Sequence, residues 1–439
     1  MKSEIRVFSY RNGEIQRVQV AWPEHWEDLE LLKPVPAKVA LDRFADIYRL
    51  YLIPAAPWLF GQLVMFRLPE EIVIPLPEQI ADPYAAASLI LRRGVTVRAG
   101  KPRFRDSQAA DLWNVLEQRD CIRIVPGKQP WTTFIPVGNE AGFLTESAPE
   151  ARLKINSAFF IMDPFDCSTP YDHVGAPFGL FVKDGIVAHP PLYNRESFLV
   201  KKDDSVSIRQ LDITDLTVRI GDQRFVHGRN ARFYTRPGFR KTPAGRQALV
   251  ITGGQVAAVC KGHTWIPCSG FVICPVEPCP ISAGTPVVYE GLEDVRFGIQ
   301  VGNSILKDGV KTDHFISRFY NIKALQPTPY PPSLYPLNFN KARAARIALG
   351  ADAEGRPMLL WAEGAAKLGH TPGIDSCGAS LKDMARLCEA VGMKNAVNLD
   401  GGGSAQMLLH GKRNLMLSDR RQEDFSESER PVPLGLYIR

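Results

Sequence analysis

Eight cysteines spread over 439 residues give no framework for a disulfide-stapled fold, and reduced thiols are the expectation. Cys260, Cys268, Cys274 and Cys279 gather in sequence, but not at the paired C-x-x-C spacing of a zinc site. No apolar run reaches the roughly 18 residues that a membrane span needs. The best, Trp58 to Phe66, is short and follows Pro54 and Pro57. The N-terminus alternates like a strand and lacks an apolar signal segment, so a cytoplasmic location is the expectation. Basic blocks are missing too: 53 Lys+Arg against 47 Asp+Glu leave a formal charge of only +6, which argues against a nucleic-acid partner and suits a small anionic ligand. His263, His370 and His410 have no partners at metal or triad spacing.

What is present is ordinary globular composition, 45% hydrophobic and 23% charged, in a chain long enough for two or three domains. Residues 1–110 read as a separate N-terminal α/β domain of unknown role. It opens with a hairpin, Ile5 to Phe8 and Ile15 to Val20, around an Asn12-Gly13 turn. A helix-like stretch, Leu41 to Leu52, and a proline-rich connection follow, then a helical segment at Ala85 to Leu91. Residues 111–439 form the second unit. Within or just before it lie a helix at Ser107 to Gln118, a strand at Cys121 to Val125, and two Asp-Gly hairpins, at Asp184-Gly185 and Asp308-Gly309. Gln326 to Pro332 is a stiff, polyproline-like connector. Near the C-terminus, Ser380 with Asp383 makes a capping box for a helix whose buried stripe is Leu381, Met384, Ala385, Cys388 and Val391, ended by Gly392.

The most distinctive stretch is Asn398-Leu399-Asp400-Gly401-Gly402-Gly403-Ser404, three glycines after a carboxylate at the end of an apolar strand. A hairpin turn needs one or two glycines; the third is surplus unless something approaches the backbone. Glycines permit positive φ and uncover successive N–H groups, the makings of an anion nest. No small-x-Ser-x-Gly elbow surrounds Ser404, and no Lys-Ser/Thr follows as in a phosphate-binding loop.

This stretch, with a helix before it and a strand after it, resembles the signature of the phosphodiester glycosidase family. The resemblance extends over about 150–439. It takes in Asn156 in the strand Lys154 to Phe160, Arg346 in Arg346-Ile347-Ala348-Leu349-Gly350, the strand ending in Glu363-Gly364, and Arg430 before the last strand. Glu363 stands where the family usually has aspartate. The family implies hydrolysis of the glycosidic C1–O bond of a sugar-1-phosphate diester or related glycan. Asp400 and Glu363 are then the catalytic candidates; Asn156, Arg346, Gly401, Gly402, Gly403, Ser404 and Arg430 are the substrate-binding candidates. Read from the residues alone, Asn156 needs either turn backbone or a ligand hydroxyl, and Arg430 fits equally well in a charge cluster with Glu423, Asp424, Glu427 and Glu429.

The chemistry suits these residue types. Cleavage at C1 expels a phosphate monoester, whose second pKa of about 6 makes acid assistance nearly unnecessary. Arginines and backbone N–H groups meet the phosphate, and a carboxylate meets the oxocarbenium-like transition state. No cofactor is certain from the sequence, and a divalent cation is left open. The expected fold is α+β: a mixed, mainly antiparallel sheet with packed helices, plus the N-terminal α/β extension. The expected partner is a small-molecule or glycan substrate with a sugar-phosphate group, with no membrane span and an oligomeric state the sequence does not give. The competing function is a non-catalytic glycan- or sugar-phosphate-binding protein of the same fold. The departure at Glu363 and the missing export signal, in a family whose members are often exported, favour that competitor.

Overall fold

The computed structural model describes residues 1–10, 12–34, 141–161, 169, 171–172, 175–236, 238–312, 342–364, 370–419, 427 and 429–439, and the backbone of 39–44, 47–52, 95–98 and 101–104. The segments at Ala85 to Leu91, Ser107 to Gln118, Cys121 to Val125 and Gln326 to Pro332 lie outside the described residues.

The fold is β-dominated, which corrects the α+β expectation: strand outweighs helix 46% to 7%. Among the described residues there is a single α-helix, Leu381–Ala390, and every strand pairing is antiparallel. The sequence overstated helix because an apolar and polar mixture without punctuation suits either periodicity. Leu41 to Leu52 shows this directly. It forms two strands, Val39–Phe44 and Ile47–Leu52, paired from Phe44 with Ile47 outwards.

A seven-stranded sheet runs in the order Lys2–Ser9, Ile15–Trp22, Pro357–Ala362, Arg346–Ala351, Asn395–Asn398, Ser304–Lys307, Val310–Lys311. Its three central strands are apolar on both faces and fully buried, as a covered sheet requires. The helix covers one face. Met384, Ala385, Leu387 and Cys388 pack on Ile305, Ala348, Leu360 and Ala396, with Ser380 and Asp383 forming the anticipated capping box. The other face carries Ile347, Leu349, Trp361 and Val397 into a large core shared with the remaining sheets.

A five-stranded sheet sits beside it, ordered Lys412–Arg413, Met407–Leu409, Leu153–Asn156, Gly435–Ile438, Glu30–Leu32. Residues 157–300 add three further antiparallel sheets. Both expected Asp-Gly hairpins are there, with φ of 49° and 81° at Asp184-Gly185 and of 53° and 78° at Asp308-Gly309. Positive φ at both central residues is what a two-residue hairpin turn of the right twist demands.

Residues 1–32, which the sequence groups with an N-terminal domain, are strands of these same two sheets. Ile15–Trp22 pairs with Pro357–Ala362, and Glu30–Leu32 pairs with Gly435–Ile438. Between them, Trp26 stacks on Phe297 and packs at a tilt against Phe198, each ring centroid 5.4 Å away, and its indole N–H donates to the Gly355 carbonyl at 2.7 Å. Trp26→Ala should therefore cost about 3–5 kcal/mol, read as a drop in the urea midpoint; a loss below about 1 kcal/mol would show that this anchor is not integral to the fold.

Candidate active site

The strand Asn395–Asn398 is held from both sides, by Arg346–Ala351 and by Ser304–Lys307. The pairing with the 345–347 segment continues past the strand's end: Leu399 N–H donates to the Ile347 carbonyl at 2.9 Å and Gly402 N–H to the Ala345 carbonyl at 2.8 Å. Asp400 thus sits at the tip of a strand that cannot swing. Its N–H donates to the Ser157 carbonyl at 3.0 Å, which ties it to the neighbouring five-stranded sheet.

Asn156 makes the same tie with its side chain. Its amide N–H donates to the Asp400 carbonyl at 2.8 Å, and its amide oxygen accepts from Gln406 N–H at 3.0 Å. Of the two partners open to Asn156, the structure supplies turn backbone. The residue is fully buried and clamps both ends of the glycine turn.

The three glycines are needed for different reasons. Gly402 has φ of +61° with open space where a Cβ would stand. Gly401 is pressed against Ala345 and the Arg346 side chain, a Cβ falling 2.8 Å from the Ala345 carbonyl oxygen. Gly403 is packed hardest, because a Cβ would lie 2.2 Å from Asp419 Oδ1 and 2.3 Å from Arg430 Nη2. The third glycine is explained by an ion pair lying on the turn. The anion nest is smaller than the sequence suggests, since the N–H groups of Gly401, Gly402, Ser404 and Ala405 are spent on Asp400 Oδ1 and on the carbonyls of Ala345, Gly401 and Gly402. That leaves the Gly403 N–H as the donor the turn can offer among the described residues.

Asp400 is partly accessible. Crowding by the surrounding protein removes water from its carboxyl and pushes the pKa up to about 6, against the opposing pull of the Ser404 hydroxyl, the Arg430 charge, the Gly401 N–H and the Arg346 charge. Ser404 is buried, and its hydroxyl lies 3.5 Å from Arg430 Nη1. Arg346 is buried with Nε on the Ala379 carbonyl at 3.2 Å and Nη2 on the Ala342 carbonyl at 3.1 Å. Arg430 is gripped by Asp419, with Nε to Oδ2 at 2.8 Å and Nη2 to Oδ1 at 3.0 Å.

Asp400, Ser404, Arg346, Arg430 and the three glycines are therefore brought together. Glu363 is not brought to this carboxyl. Its carboxylate accepts from Arg17 Nη1 at 2.8 Å, from the Met416 N–H at 2.8 Å and from the Ser376 hydroxyl, so it fastens the N-terminal hairpin to the sheet. Sequence reading missed both partners that matter: Asp419 for Arg430 and Arg17 for Glu363. Neither stands at a spacing that marks it; Asp419 is a lone acid after the apolar run Leu415 to Leu417, and Arg17 lies 346 residues from its partner. Of the acids grouped with Arg430 in the sequence, the two described ones have other partners. Glu429 pairs with Arg413 at 2.9 Å and Glu427 accepts the Leu417 N–H, while Glu423 and Asp424 lie outside the described residues.

Among the described residues no group of three or more His, Cys, Asp or Glu is gathered to hold a metal ion, the six cysteines form no disulfide, and no helix is long and apolar enough to cross a membrane.

Residues 270–439 match the phosphodiester glycosidase family, which bears out the resemblance for that segment. The match takes in Arg346, Glu363, Asp400 to Ser404 and Arg430, but not Asn156 or the strands before residue 270. N-acetylglucosamine-1-phosphodiester alpha-N-acetylglucosaminidase of Mus musculus is 34% identical over 94 residues, 21% of this chain. The match spans only 17% of that relative's length. Three solved structures are similar over the whole of this chain. A hypothetical protein from Synechocystis is 16% identical with a TM-score of 0.43 and 62% of its chain covered. A putative exported protein from Burkholderia pseudomallei is 15% identical with a TM-score of 0.41 and 96% covered. The zebrafish N-acetylglucosamine-1-phosphodiester alpha-N-acetylglucosaminidase catalytic domain, auto-inhibited by its pro-peptide, is 13% identical with a TM-score of 0.38 and 82% covered.

The packing of the turn predicts an order of damage. Gly402→Ala meets no neighbour and should cost about 1–2 kcal/mol, the penalty of a left-handed backbone, whereas Gly403→Ala must displace the Asp419–Arg430 pair and should cost at least about 3 kcal/mol. Equal melting temperatures for the two variants would contradict this placement of the ion pair.

Proposed function

We propose, from the phosphodiester glycosidase match over residues 270–439 and the geometry of the glycine turn, that this protein is a hydrolase cleaving the C1–O bond of a sugar-1-phosphate diester. The observation that carries the reading is one carboxyl, Asp400, at the end of a rigid strand, with its pKa raised to about 6 and two arginines and a serine around it. Asp400 is the carboxylate that attacks C1 or directs water to it. Arg346, Arg430, Ser404 and the Gly403 N–H bind and orient the phosphate.

A lone carboxylate is enough for this reaction class. Glycosidases with poor leaving groups need a second carboxyl as general acid. A phosphate monoester departs as an anion without that help. Glu363, held by Arg17, Ser376 and Met416, is accordingly a support, and Asn156 positions the turn instead of touching substrate. The alternative, a binding protein that recognises the same sugar phosphate, uses every one of these residues except an ionised Asp400.

The test is release of free sugar from a panel of sugar-1-phosphate diesters, N-acetylglucosamine included, by the purified protein and by Asp400→Asn. Wild type should release sugar, and Asp400→Asn should be slower by about 10²–10⁴-fold. Because the ionised form does the work, kcat/KM should rise with pH through about 6 and level off above it. Sugar release that survives a chelator rules out an essential divalent cation. Binding of the panel without cleavage by either protein would replace the hydrolase reading with the binding one. Glu363→Gln gives a separate check: it should lower the melting temperature while kcat of the folded fraction stays within about tenfold of wild type. A loss of turnover as large as that of Asp400→Asn, at unchanged stability, would return Glu363 to the catalytic role.

A further inference from the structure

We propose that Asp419 is a positioning residue of this site, holding the Arg430 guanidinium in the one orientation that faces Ser404 and Asp400 and thereby governing the ionisation of Asp400. The proposal rests on the reading of Asp400 as the working carboxylate, and its geometry is independent of any substrate.

Among the described residues, Nε and Nη2 of Arg430 are bidentate on Asp419, at 2.8 Å and 3.0 Å, and Nη1 lies 3.5 Å from the Ser404 hydroxyl. The Ser404 hydroxyl and the Arg430 charge both favour the ionised form of Asp400. Asp419, Arg430 and Ser404 thus form a polar path that leads towards Asp400, and its outer pair is protected from water, with side chains 9% and 12% exposed. A planar guanidinium held along one edge by both oxygens of a carboxylate has its plane fixed by that pair. The Arg430 main chain is pinned as well, its carbonyl accepting from Gln406 Nε2 at 3.0 Å. Gly403 records how close this pair comes, since no side chain fits between it and the turn.

A purely architectural ion pair would end at Asp419 and Arg430. The third nitrogen and the serine carry it further. Among the described residues, the charged and polar groups that face Asp400 are Arg430 from the C-terminal segment, Arg346 from the strand Arg346–Ala351, and the Ser404 hydroxyl and Gly401 N–H from the turn. Asp419 reaches Asp400 through Arg430. Its negative charge offsets part of the arginine's pull on the Asp400 proton.

The sign of each substitution follows. Asp419→Asn keeps an oxygen for Arg430 but removes the offsetting charge, so Asp400 should ionise at lower pH, by about one unit. Arg430→Gln removes the pull, so Asp400 should ionise at higher pH. In the double variant Asp419→Asn/Arg430→Gln, the titration should match Arg430→Gln alone, because Asp419 then has nothing to act through. The measurement is a pH titration of the Asp400 carboxyl carbon by NMR on protein labelled at aspartate side chains, with Asp400→Asn identifying the resonance. An Asp419→Asn titration identical to wild type overturns the proposal, and so does the same downward shift in the arginine-less background. If Asp419→Asn does not fold, Arg430→Lys asks the same question, since a point-charge ammonium cannot span Asp419 and Ser404 together. An upward shift supports the proposal, and an unchanged titration overturns it. The readout needs no turnover, so a wild type that releases no sugar refutes the hydrolase reading while the titration still decides the role of Asp419. Where wild type is active, the acid limb of kcat/KM must move with the titration.

Discussion

One side chain joins the two sheets that make the site. Asn156 lies in the five-stranded sheet and gives both halves of its amide to the backbone of a turn that belongs to the seven-stranded sheet, donating before the glycines and accepting after them. A buried amide left without such partners would cost about 1–3 kcal/mol for each unmade bond, so the clamp and the burial enforce each other. The N–H of Asp400 to the carbonyl of Ser157 repeats the connection one residue along. Everything proposed for this protein depends on Asp400 staying at this seam, because its raised pKa and its approach to two arginines are both consequences of being fixed there.

Much of the site is written locally in the sequence, and much of the fold is not. The Asp-Gly-Gly-Gly-Ser run could be read because each glycine removes a side chain, and a surplus of such removals has few explanations. The helix Leu381–Ala390, its capping box and the two Asp-Gly hairpins were legible for the same reason: each rests on residues within a few positions of one another. The helical expectation at Leu41 to Leu52 failed because a single segment does not say which partner it will find, and a pairing partner two residues away decided the matter. Asp419 and Arg17 are long-range counterparts of Arg430 and Glu363, and no local pattern encodes a partner across the fold. Glu363 shows the same limit: a carboxylate at the end of a buried strand looks the same in sequence whether or not it holds a distant arginine.

That anchoring changes what the first residues are for. The hairpin Lys2–Ser9 and Ile15–Trp22 extends the central sheet by two strands, and Arg17 with Glu363, Gln16 with the Glu363 carbonyl, and His370 with Glu14 fasten it to the segment that follows the strand Pro357–Ala362. Two of these contacts involve charged groups that are partly shielded from solvent, where an unpaired partner is expensive. The Glu363 carboxylate itself reaches three donors at once.

The pairing of Glu30–Leu32 with Gly435–Ile438 brings together residues some four hundred positions apart, and Ile15–Trp22 waits for Pro357–Ala362 in the same way. Such a topology has a high contact order, so loop-closure entropy is lost before the contacts that repay it are made. On a ribosome, Ile15–Trp22 and Glu30–Leu32 emerge long before their partners and keep sheet edges exposed until those partners follow. The time taken to synthesise the intervening residues is a time of vulnerability, and the seam at Asp400 cannot form before it ends.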